Sequence, residues 1–259
     1  MDDIMHVERH GHVFEMRLDR PKANAIDAAT SQEMSRVMTV FRDDPEMWVG
    51  ILTGTGRFFS AGWDINPGED GSTGDDDEFG EGGFGGLTRN FTLNKPIIAA
   101  VNGFAAGGGF ELALASDIIV ASTEAKFMLS EVNIGLVADA GGLIRLPRRI
   151  PYGIAMEMLY TGRPMDAKEA LHVGLICRMV EPGELMEAAR EIADNITTSA
   201  PLAVKGVKSV LRDIDGLDVE AAFKAQDRNP DRARALESED AQEGPRAFTE
   251  KRAPQWKAK

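Results

Sequence analysis

The segment from Ile97 to Glu111, IIAAVNGFAAGGGFE, constrains the fold of this chain more than any other. Its first five residues are all apolar, which predicts a buried strand, and the Leu-Ala-Leu-Ala after Glu111 predicts a helix. Three consecutive glycines between them predict a tight strand-to-helix turn whose backbone can approach a ligand closely. Such a turn aims amide N–H groups and the positive end of the helix dipole at a developing negative charge. Close packing of the helix on the strand is the alternative explanation for the glycines.

Phosphate binding is the competing interpretation of this turn. The glycines are not followed by the Gly-Lys-Ser/Thr of a P-loop, and they lack the Gly-x-Gly-x-x-Gly register of a dinucleotide site. A formal net charge of −13 also argues against nucleic acid, because phosphate backbones are bound by basic surfaces. We therefore expect no nucleic-acid partner.

Strand and helix patterns alternate along most of the chain. The predicted strands are Val13–Leu18, Trp48–Leu52, Ile97–Val101 and Asp117–Val120. Asp27 is placed to cap a helix whose apolar residues recur at helical spacing, namely Met34, Val37, Met38 and Phe41. Beyond about residue 180 only helical patterns follow, with an apolar stripe from Leu185 to Ile196 and Pro201 placed to open a further helix. This order predicts an α/β core over residues 1–196 and a helical segment over residues 197–259.

Residues 67–86, PGEDGSTGDDDEFGEGGFGG, interrupt this alternation. They contain eight glycines and seven acidic residues. Such a composition buries too little apolar surface to offset the entropy of ordering, so we expect a mobile loop. It is either a solvated insertion or a lid beside the active site, with Phe79 and Phe84 as its large apolar anchors.

The single cysteine and the N-terminal residues bear on the cellular compartment. Cys177 alone forms no internal disulfide, which fits a reducing compartment, and its apolar neighbours predict a buried position. The N-terminal MDDIMHVERH has no signal-peptide apolar region, and no run of 18 apolar residues occurs. We expect a cytoplasmic protein without a membrane-spanning segment.

Two glutamates stand out because each is embedded among apolar residues and glycines. Glu111 follows the glycine turn, and Glu131 lies in LSEVNIGLVADAGG. Burying a carboxylate is costly, so such positions suggest a chemical role. Ala61, in RFFSAGWD, can offer its N–H from a strand-end loop, whereas Ser60 is better interpreted as a turn-stabilising serine than as a nucleophile, since no histidine motif supports it. No His/Cys cluster has metal-site spacing, so we expect no metal.

Taken in order, these motifs resemble the crotonase, or enoyl-CoA hydratase/isomerase, superfamily. The matching segments cover essentially the full length and read LDRPKANAID, FFSAGWD, NGFAAGGGFELALASD, SEVNIGLVADAGGLIRLP and EKRAPQWK. The resemblance implies a ClpP-like spiral of repeated β-β-α turns, with a helical C-terminal segment that assembles trimers or dimers of trimers. It also implies a coenzyme A thioester substrate and no separate cofactor.

The resemblance further implies roles for individual residues. Glu111 and Glu131 match the two catalytic glutamates, and the N–H groups of Ala61 and Gly108 match the oxyanion hole. The residues implied to bind coenzyme A are Lys22, Ala23, Ala25, Ala61, Phe248 and Lys251. The last two often serve a neighbouring subunit.

Three segments, RPKANAIDAAT, FSAGWD and SEDAQEGPRAFTEKRAPQW, are most similar to a subfamily that interconverts carnitinyl-CoA and crotonobetainyl-CoA. This implies a hydro-lyase of carnitine and fatty acid metabolism. Trp63 and Phe84 are candidates for the acyl pocket, and Trp63 would offer a cation–π face to a trimethylammonium group. Asp64 or the acidic residues of the 67–86 loop would assist. Packing in the core is the alternative for Trp63.

Other activities remain open. Ser130 and Ala138 stand where hydratases often carry proline, and Asp139, eight residues after Glu131, resembles the aspartate of dienoyl-CoA isomerases. Those isomerases usually have Asp at the position of Glu111, which favours hydration or dehydration here. A general short-chain enoyl-CoA hydratase and a catalytically silent acyl-CoA-binding paralogue are further alternatives.

Overall fold

The structure is a computed structural model that describes residues 4–65 and 79–259. Within these ranges the strands are β1 (Met5–His10), β2 (Val13–Leu18), β3 (Ala25–Ile26), β4 (Val49–Gly54), β5 (Phe58–Ser60), β6 (Gly62–Trp63), β7 (Ile97–Val101), β8 (Phe104–Ala106), β9 (Ile118–Ser122), β10 (Lys126–Met128), β11 (Met165–Asp166) and β12 (Arg178–Val180). The α-helices are α1 (Ala28–Asp43), α2 (Gly108–Ala115), α3 (Gly142–Arg149), α4 (Tyr152–Thr161), α5 (Ala167–His172), α6 (Leu185–Thr197), α7 (Pro201–Asp213), α8 (Val219–Arg228), α9 (Pro230–Glu237) and α10 (Glu239–Glu250).

The strands form two main sheets to which successive units of the chain contribute in turn. The larger sheet has the order β1-β2-β4-β7-β9-β12 and is parallel except for the β1–β2 hairpin. The smaller sheet has the order β11-β10-β8-β5, and β3 pairs separately with β6. Each of the pairs β4/β5, β7/β8 and β9/β10 places its first strand in the larger sheet and its second in the smaller. The predicted α/β class of repeated β-β-α turns is confirmed.

The all-apolar run of β7 is explained by cores on both faces of the larger sheet. Ile97, Ala99 and Val101 belong to the core that also contains α1 and α2, whereas Ile98 and Ala100 belong to the core beneath α6. Successive strand residues point to opposite faces, so a strand buried on both faces shows no polar alternation.

Helix α1 begins where the sequence predicts. The Asp27 carboxylate accepts a 2.8 Å hydrogen bond from the Thr30 N–H, which satisfies one of the free amides of the first turn. The Phe41 ring stacks on Phe14 of β2 with ring centroids 5.4 Å apart. The apolar face of α1 is thereby fixed against the larger sheet.

Only helices follow β12, as predicted, apart from a short 3₁₀ turn at Pro182–Glu184. After α10 the chain folds back, and the buried Glu243 carboxylate accepts hydrogen bonds from Arg252 and from the Gln255 N–H. The Trp256 Nε1–H donates to the Thr198 carbonyl at 2.7 Å. The division into core and C-terminal segment stays a prediction. Among the helices of the described ranges, none is long and apolar enough to cross a membrane.

Two further expectations concern Cys177 and the acidic segment. The predicted burial of Cys177 is wrong, because its side chain is exposed while Leu175 and Ile176 are buried. Its N–H donates to Ile119, which places it in the extended ladder beside β9, where successive side chains point to opposite faces. Of the acidic segment, residues 67–78 lie outside the described ranges, and Phe79 and Phe84 are buried.

Candidate active site

Three neighbouring strands of the smaller sheet end at one edge and bring the separated motifs together. Strands β5, β8 and β10 are parallel, so their carboxyl ends lie side by side. Ala61 directly follows β5, Gly108 follows β8 at the start of α2, and Glu131 follows β10 after two residues. Ligands in such α/β sheets bind beyond the carboxyl ends of strands, which makes this edge the candidate site.

A pocket of about 400 Å³ opens at this edge. The described residues that line it are Ala25, Ala61, Trp63, Asp64, Ile65, Ala106, Gly107, Gly108, Ser130, Glu131, Ile134 and Leu136. Among these lining residues the charged ones are Asp64 and Glu131, both acidic. The pocket therefore combines apolar walls with negative charge.

Glu111 lies in the first turn of α2 and is 3% exposed. Its Oε1 accepts a 2.8 Å hydrogen bond from the Gly142 N–H at the start of α3. The pKa of Glu111 is raised to about 7, mainly by burial and also by the neighbouring Glu131 and Asp139 carboxylates, while the Gly142 N–H and Arg145 limit the rise. A carboxyl group with such a pKa can exchange protons near neutrality.

Glu131 is the first residue of a 3₁₀ turn, Glu131–Ile134, and its side chain faces the glycine turn before α2. Its Oε1 lies 3.1 Å from the position that a Cβ at Gly107 would occupy. Its Oε2 is buried and has no hydrogen-bond partner among the described residues. Burial also raises the pKa of Glu131, with a further contribution from the Asp139 charge. The structure thus brings the two predicted glutamates within electrostatic reach of each other, and of the two Glu131 is among the described residues that line the pocket whereas Glu111 is not.

Asp139 lies in the loop between Glu131 and α3 and is exposed. Its negative charge raises the pKa of both Glu111 and Glu131. Asp139 is therefore a third carboxylate that acts on the pair.

The backbones that carry Ala61 and Gly108 approach each other very closely at Gly62. A Cβ on Gly62 would lie 2.6 Å from the Gly108 nitrogen and 2.7 Å from the Ala106 carbonyl oxygen, and Gly62 has a φ of +84°. Only glycine fits both this contact and this backbone conformation without strain. The Gly108 N–H belongs to the first turn of α2, whose amides have no acceptor within the helix.

The Ala61 N–H differs from the Gly108 N–H because it already has an acceptor. It donates to the Ala23 carbonyl oxygen at 3.0 Å. An oxygen of a bound ligand would therefore share this N–H with Ala23 in a three-centre hydrogen bond, an arrangement that backbone amides commonly adopt.

Comparison with known proteins identifies the family. A family model for enoyl-CoA hydratase/isomerase matches residues 8–259. The chain belongs to this family. Carnitinyl-CoA dehydratase of Proteus mirabilis is 53% identical over 262 residues, covering 100% of both chains. Carnitinyl-CoA dehydratase of Escherichia coli K12 is 50% identical over 265 residues, also covering 100% of both.

Solved structures of enoyl-CoA hydratases share the fold. The enzyme of Mycobacterium tuberculosis H37Rv superposes with a TM-score of 0.92 at 39% identity, covering 100% of both chains. That of Bacillus anthracis superposes with a TM-score of 0.89 at 31% identity, covering 99% of this chain and 100% of the other. The predicted membership of the enoyl-CoA hydratase/isomerase superfamily and the resemblance to carnitinyl-CoA dehydratases are confirmed.

In this family member the predicted acyl-pocket aromatics form a cluster. Trp63 lines the pocket and meets Phe79 edge-on at a centroid distance of 5.4 Å. Phe79 in turn meets Phe84 edge-on at 5.3 Å. Phe84 is 3% exposed, lies over Gly108, and is not among the described residues that line the pocket. Trp63 thus both packs on the core and faces the pocket.

Asp64 lines the pocket but is bound to Arg20. The Arg20 guanidinium donates to Asp64 at 2.9 Å, to Asp27 at 2.6 Å and to the Ala25 carbonyl at 2.8 Å. The charge of Asp64 is therefore partly neutralised. The same guanidinium fixes β3 relative to the end of β6.

The residues expected to bind coenzyme A fall into two groups. Ala25 and Ala61 line the pocket, and Ala23 and the exposed Lys22 lie in the loop between β2 and β3. Phe248, on α10, is 87% exposed, and Lys251 follows that helix and is also exposed; neither is among the described residues lining this chain's own pocket.

Sequence reasoning missed Gly142 and Arg145. Gly142 supplies the hydrogen bond to Glu111, and the partly buried Arg145 guanidinium acts electrostatically on the same carboxylate. Glu111 and Gly142 are 31 residues apart, and no local pattern links them. The GG at the start of α3 and the arginine one turn later were the signal present in the sequence.

A cluster on the first hairpin has metal-binding side chains but a compensated charge. Ligand atoms of Glu8, His10 and Glu15 lie within 4.8 Å of one another. The Glu15 carboxylate, however, accepts two hydrogen bonds from Arg190, at 2.6 and 2.8 Å. None of these residues is among those described as lining the active-site pocket.

Proposed function

We propose that this chain catalyses the reversible hydration of a 2-enoyl-CoA thioester, with carnitinyl-CoA and crotonobetainyl-CoA as its natural pair. The observation that carries the proposal is a pair of glutamates with raised pKa values beside the N-terminus of α2. The names of the relatives at about 50% identity support the substrate.

In the hydration direction, the Glu111 carboxylate takes a proton from water as the water oxygen bonds to Cβ. The electron pair of the Cα–Cβ double bond moves toward the thioester carbonyl, and negative charge develops on its oxygen. The Gly108 N–H and the shared Ala61 N–H stabilise that charge, each such donor contributing about 3 kcal/mol to barrier lowering. Glu131, in its protonated form, then delivers a proton to Cα, and the carbonyl is restored. Dehydration reverses each transfer, so one glutamate is protonated whenever the other is not.

The trimethylammonium group is matched by the chemistry of the pocket. The charged lining residues that the structure describes are acidic, and Trp63 presents an aromatic surface. A desolvated cation over an indole ring is stabilised by about 2 kcal/mol. Because Asp64 is paired with Arg20, Trp63 is the main cation-recognising group in this proposal.

Activity profiling tests the proposal. We expect kcat/KM for crotonobetainyl-CoA to exceed that for crotonyl-CoA by about tenfold or more, as the cation–π energy predicts. Replacing Trp63 by leucine should reduce that preference to near one, whereas W63F, which keeps a ring, should retain part of it. Equal kcat/KM values in the wild type would leave a general short-chain enoyl-CoA hydratase. Measurable coenzyme A binding with no turnover of any thioester would instead favour a silent paralogue.

Asp139 offers a test of the electrostatics of the pair. Hydration requires ionised Glu111, so kcat/KM should fall as the pH drops through about 7. Because the Asp139 charge raises both glutamate pKa values, D139N should move this acid limb to lower pH. A limb that stays fixed or moves upward would contradict this account. Loss of dienoyl-CoA isomerisation in D139N, with hydration absent in the wild type, would instead support the isomerase alternative.

Assembly and compartment complete the proposal. We propose a cytoplasmic homotrimer, alone or doubled to a hexamer, in which Phe248 and Lys251 serve the site of an adjoining subunit. The exposure of Phe248 on α10 supports this assignment. No cofactor beyond the coenzyme A of the substrate is needed for the chemistry described.

A further inference from the structure

Arg145 is a partly buried cation that the reaction scheme does not use. It lies on α3, and its guanidinium donates to the Thr88 carbonyl at 2.6 Å and to the Ala140 carbonyl at 3.5 Å. These acceptors belong to two different segments. The Ala140 segment leads into the Gly142 N–H that binds Glu111, and the Thr88 segment follows Phe84, which lies over Gly108.

The turn before α3 is shaped to let this guanidinium fold back over it. A Cβ at Gly141 would lie 1.9 Å from Arg145 Nη1, and Gly141 has a φ of +118°. The backbone N–H of Arg145 also donates to the Gly141 carbonyl at 2.8 Å. The side chain and the backbone of Arg145 therefore both hold the turn whose next amide, that of Gly142, contacts Glu111.

The charges around Glu111 come from several elements. Glu131 and Asp139, from the turn and loop after β10, raise the pKa of Glu111, and Arg145, from α3, opposes them. Arg145 in turn interacts electrostatically with Glu111 and Arg149. It also lines a separate cavity of about 600 Å³, whose other charged lining residues among those described are Asp117, Lys208, Arg212 and Asp215. Among these, Lys208 is paired with Asp117. Among the described residues, Arg145 is thus the cation whose charge limits the rise in the pKa of Glu111.

We propose that Arg145 is a positioning residue for Glu111: it holds the turn that presents the Gly142 N–H to this carboxylate and places a positive charge beside it. The inference rests on the proposed function only where it predicts an effect on catalysis. The placement of Arg145 and its effect on Glu111 are properties of the protein without substrate.

The test separates charge from geometry with two variants. R145Q removes the positive charge, and we expect the titration of Glu111 to move upward by about one pH unit. R145K keeps the charge, but its single ammonium cannot bridge the Thr88 and Ala140 carbonyls as a planar guanidinium does. For R145K we expect a smaller upward shift of the Glu111 titration than in R145Q, because the charge remains while the Gly142 N–H is less well placed, with kcat lowered about tenfold and KM changed by less than about twofold.

The readout is ¹³C NMR titration of side-chain-labelled glutamate, with the Glu111 signal assigned by its loss in E111Q. The matched control is R149Q, which removes a partly buried arginine one turn further along α3 that donates to the Ser116 carbonyl. An unchanged or downward shift in R145Q, or an equal upward shift in R149Q, would overturn the proposal. If R145Q fails to fold, R145K decides: wild-type kcat or an unchanged Glu111 titration would refute the positioning role, and reduced kcat with an upward shift would support it. If the wild type hydrates no thioester but the Glu111 titration still moves upward in R145Q, the proposed function is rejected and this inference stands.

Discussion

Replacing Glu111 by glutamine is expected to lower kcat/KM for crotonobetainyl-CoA by roughly 100- to 10,000-fold and to make the folded protein more stable at pH 8. The loss of activity follows because glutamine cannot accept the proton of water. The side-chain oxygen of glutamine can still accept the Gly142 N–H, so the local structure should be kept.

The gain in stability follows from the pKa of Glu111. In the unfolded chain this carboxyl group ionises at its ordinary value of 4.5, and in the folded protein burial raises its pKa to about 7. Between these pH values the folded state holds a proton that the unfolded state has lost, so the wild-type free energy of unfolding decreases as the pH rises from about 4.5 to about 7. The variant avoids this decrease, and at pH 8 its free energy of unfolding should be higher by about 3 kcal/mol.

Urea unfolding at pH 4.5 and pH 8 measures the effect. The difference between E111Q and the wild type should appear at pH 8 and vanish at pH 4.5. Glu124, an exposed glutamate between β9 and β10, supplies the control, because E124Q should alter neither activity nor stability. More than a tenth of wild-type activity in E111Q, or equal stabilities at pH 8, would refute the assignment of a buried proton-accepting carboxylate.

Replacing Glu131 by glutamine should cause a loss of hydration of similar size, roughly 100- to 10,000-fold, through a different proton. Glu131 faces the glycine turn before α2, and its buried Oε2 has no hydrogen-bond partner among the described residues. We assign it the Cα proton. A saturated thioester such as butyryl-CoA has no hydroxyl to lose, so exchange of its Cα proton with D₂O reports on the Cα base alone.

The two glutamate variants should therefore differ in this exchange reaction. We expect E131Q to lose exchange of the butyryl-CoA Cα proton and E111Q to retain it, measured by NMR over the same incubation. Circular dichroism spectra matching the wild type would show that both variants fold. The opposite pattern, with exchange lost only in E111Q, would require the two roles to be interchanged.

The parts of this fold that sequence predicts well are those set by neighbouring residues. The β7 run and the glycine turn into α2 are local patterns, and Asp27 caps α1 by accepting from an N–H only three positions away. The two glutamates could be singled out because each carboxylate stood among apolar residues and glycines. Their common location depended on the parallel order of β8 and β10, which the ordered family motifs implied.

The contacts that sequence did not predict join distant segments. The Gly142 N–H meets Glu111 across 31 positions, and Arg20 meets Asp64 across 44. Asp64 was expected to assist a cation, yet its ion pair with Arg20 depends on the pairing of β3 with β6. The acceptor of the Ala61 N–H depends on the same pairing, because Ala23 lies just before β3.

The close approach at Gly62 also bears on how the enzyme could be redesigned. The two amides at Ala61 and Gly108 are main-chain groups, so exchanging side chains elsewhere in the pocket leaves them in place. Gly62 itself tolerates no side chain, because any Cβ would collide with the Gly108 nitrogen. A library aimed at new acyl groups should therefore hold residues 61, 62 and 108 constant. It should vary the lining residues Trp63, Ile65, Ile134 and Leu136, which shape the pocket without contributing the two amides proposed to stabilise the thioester oxygen.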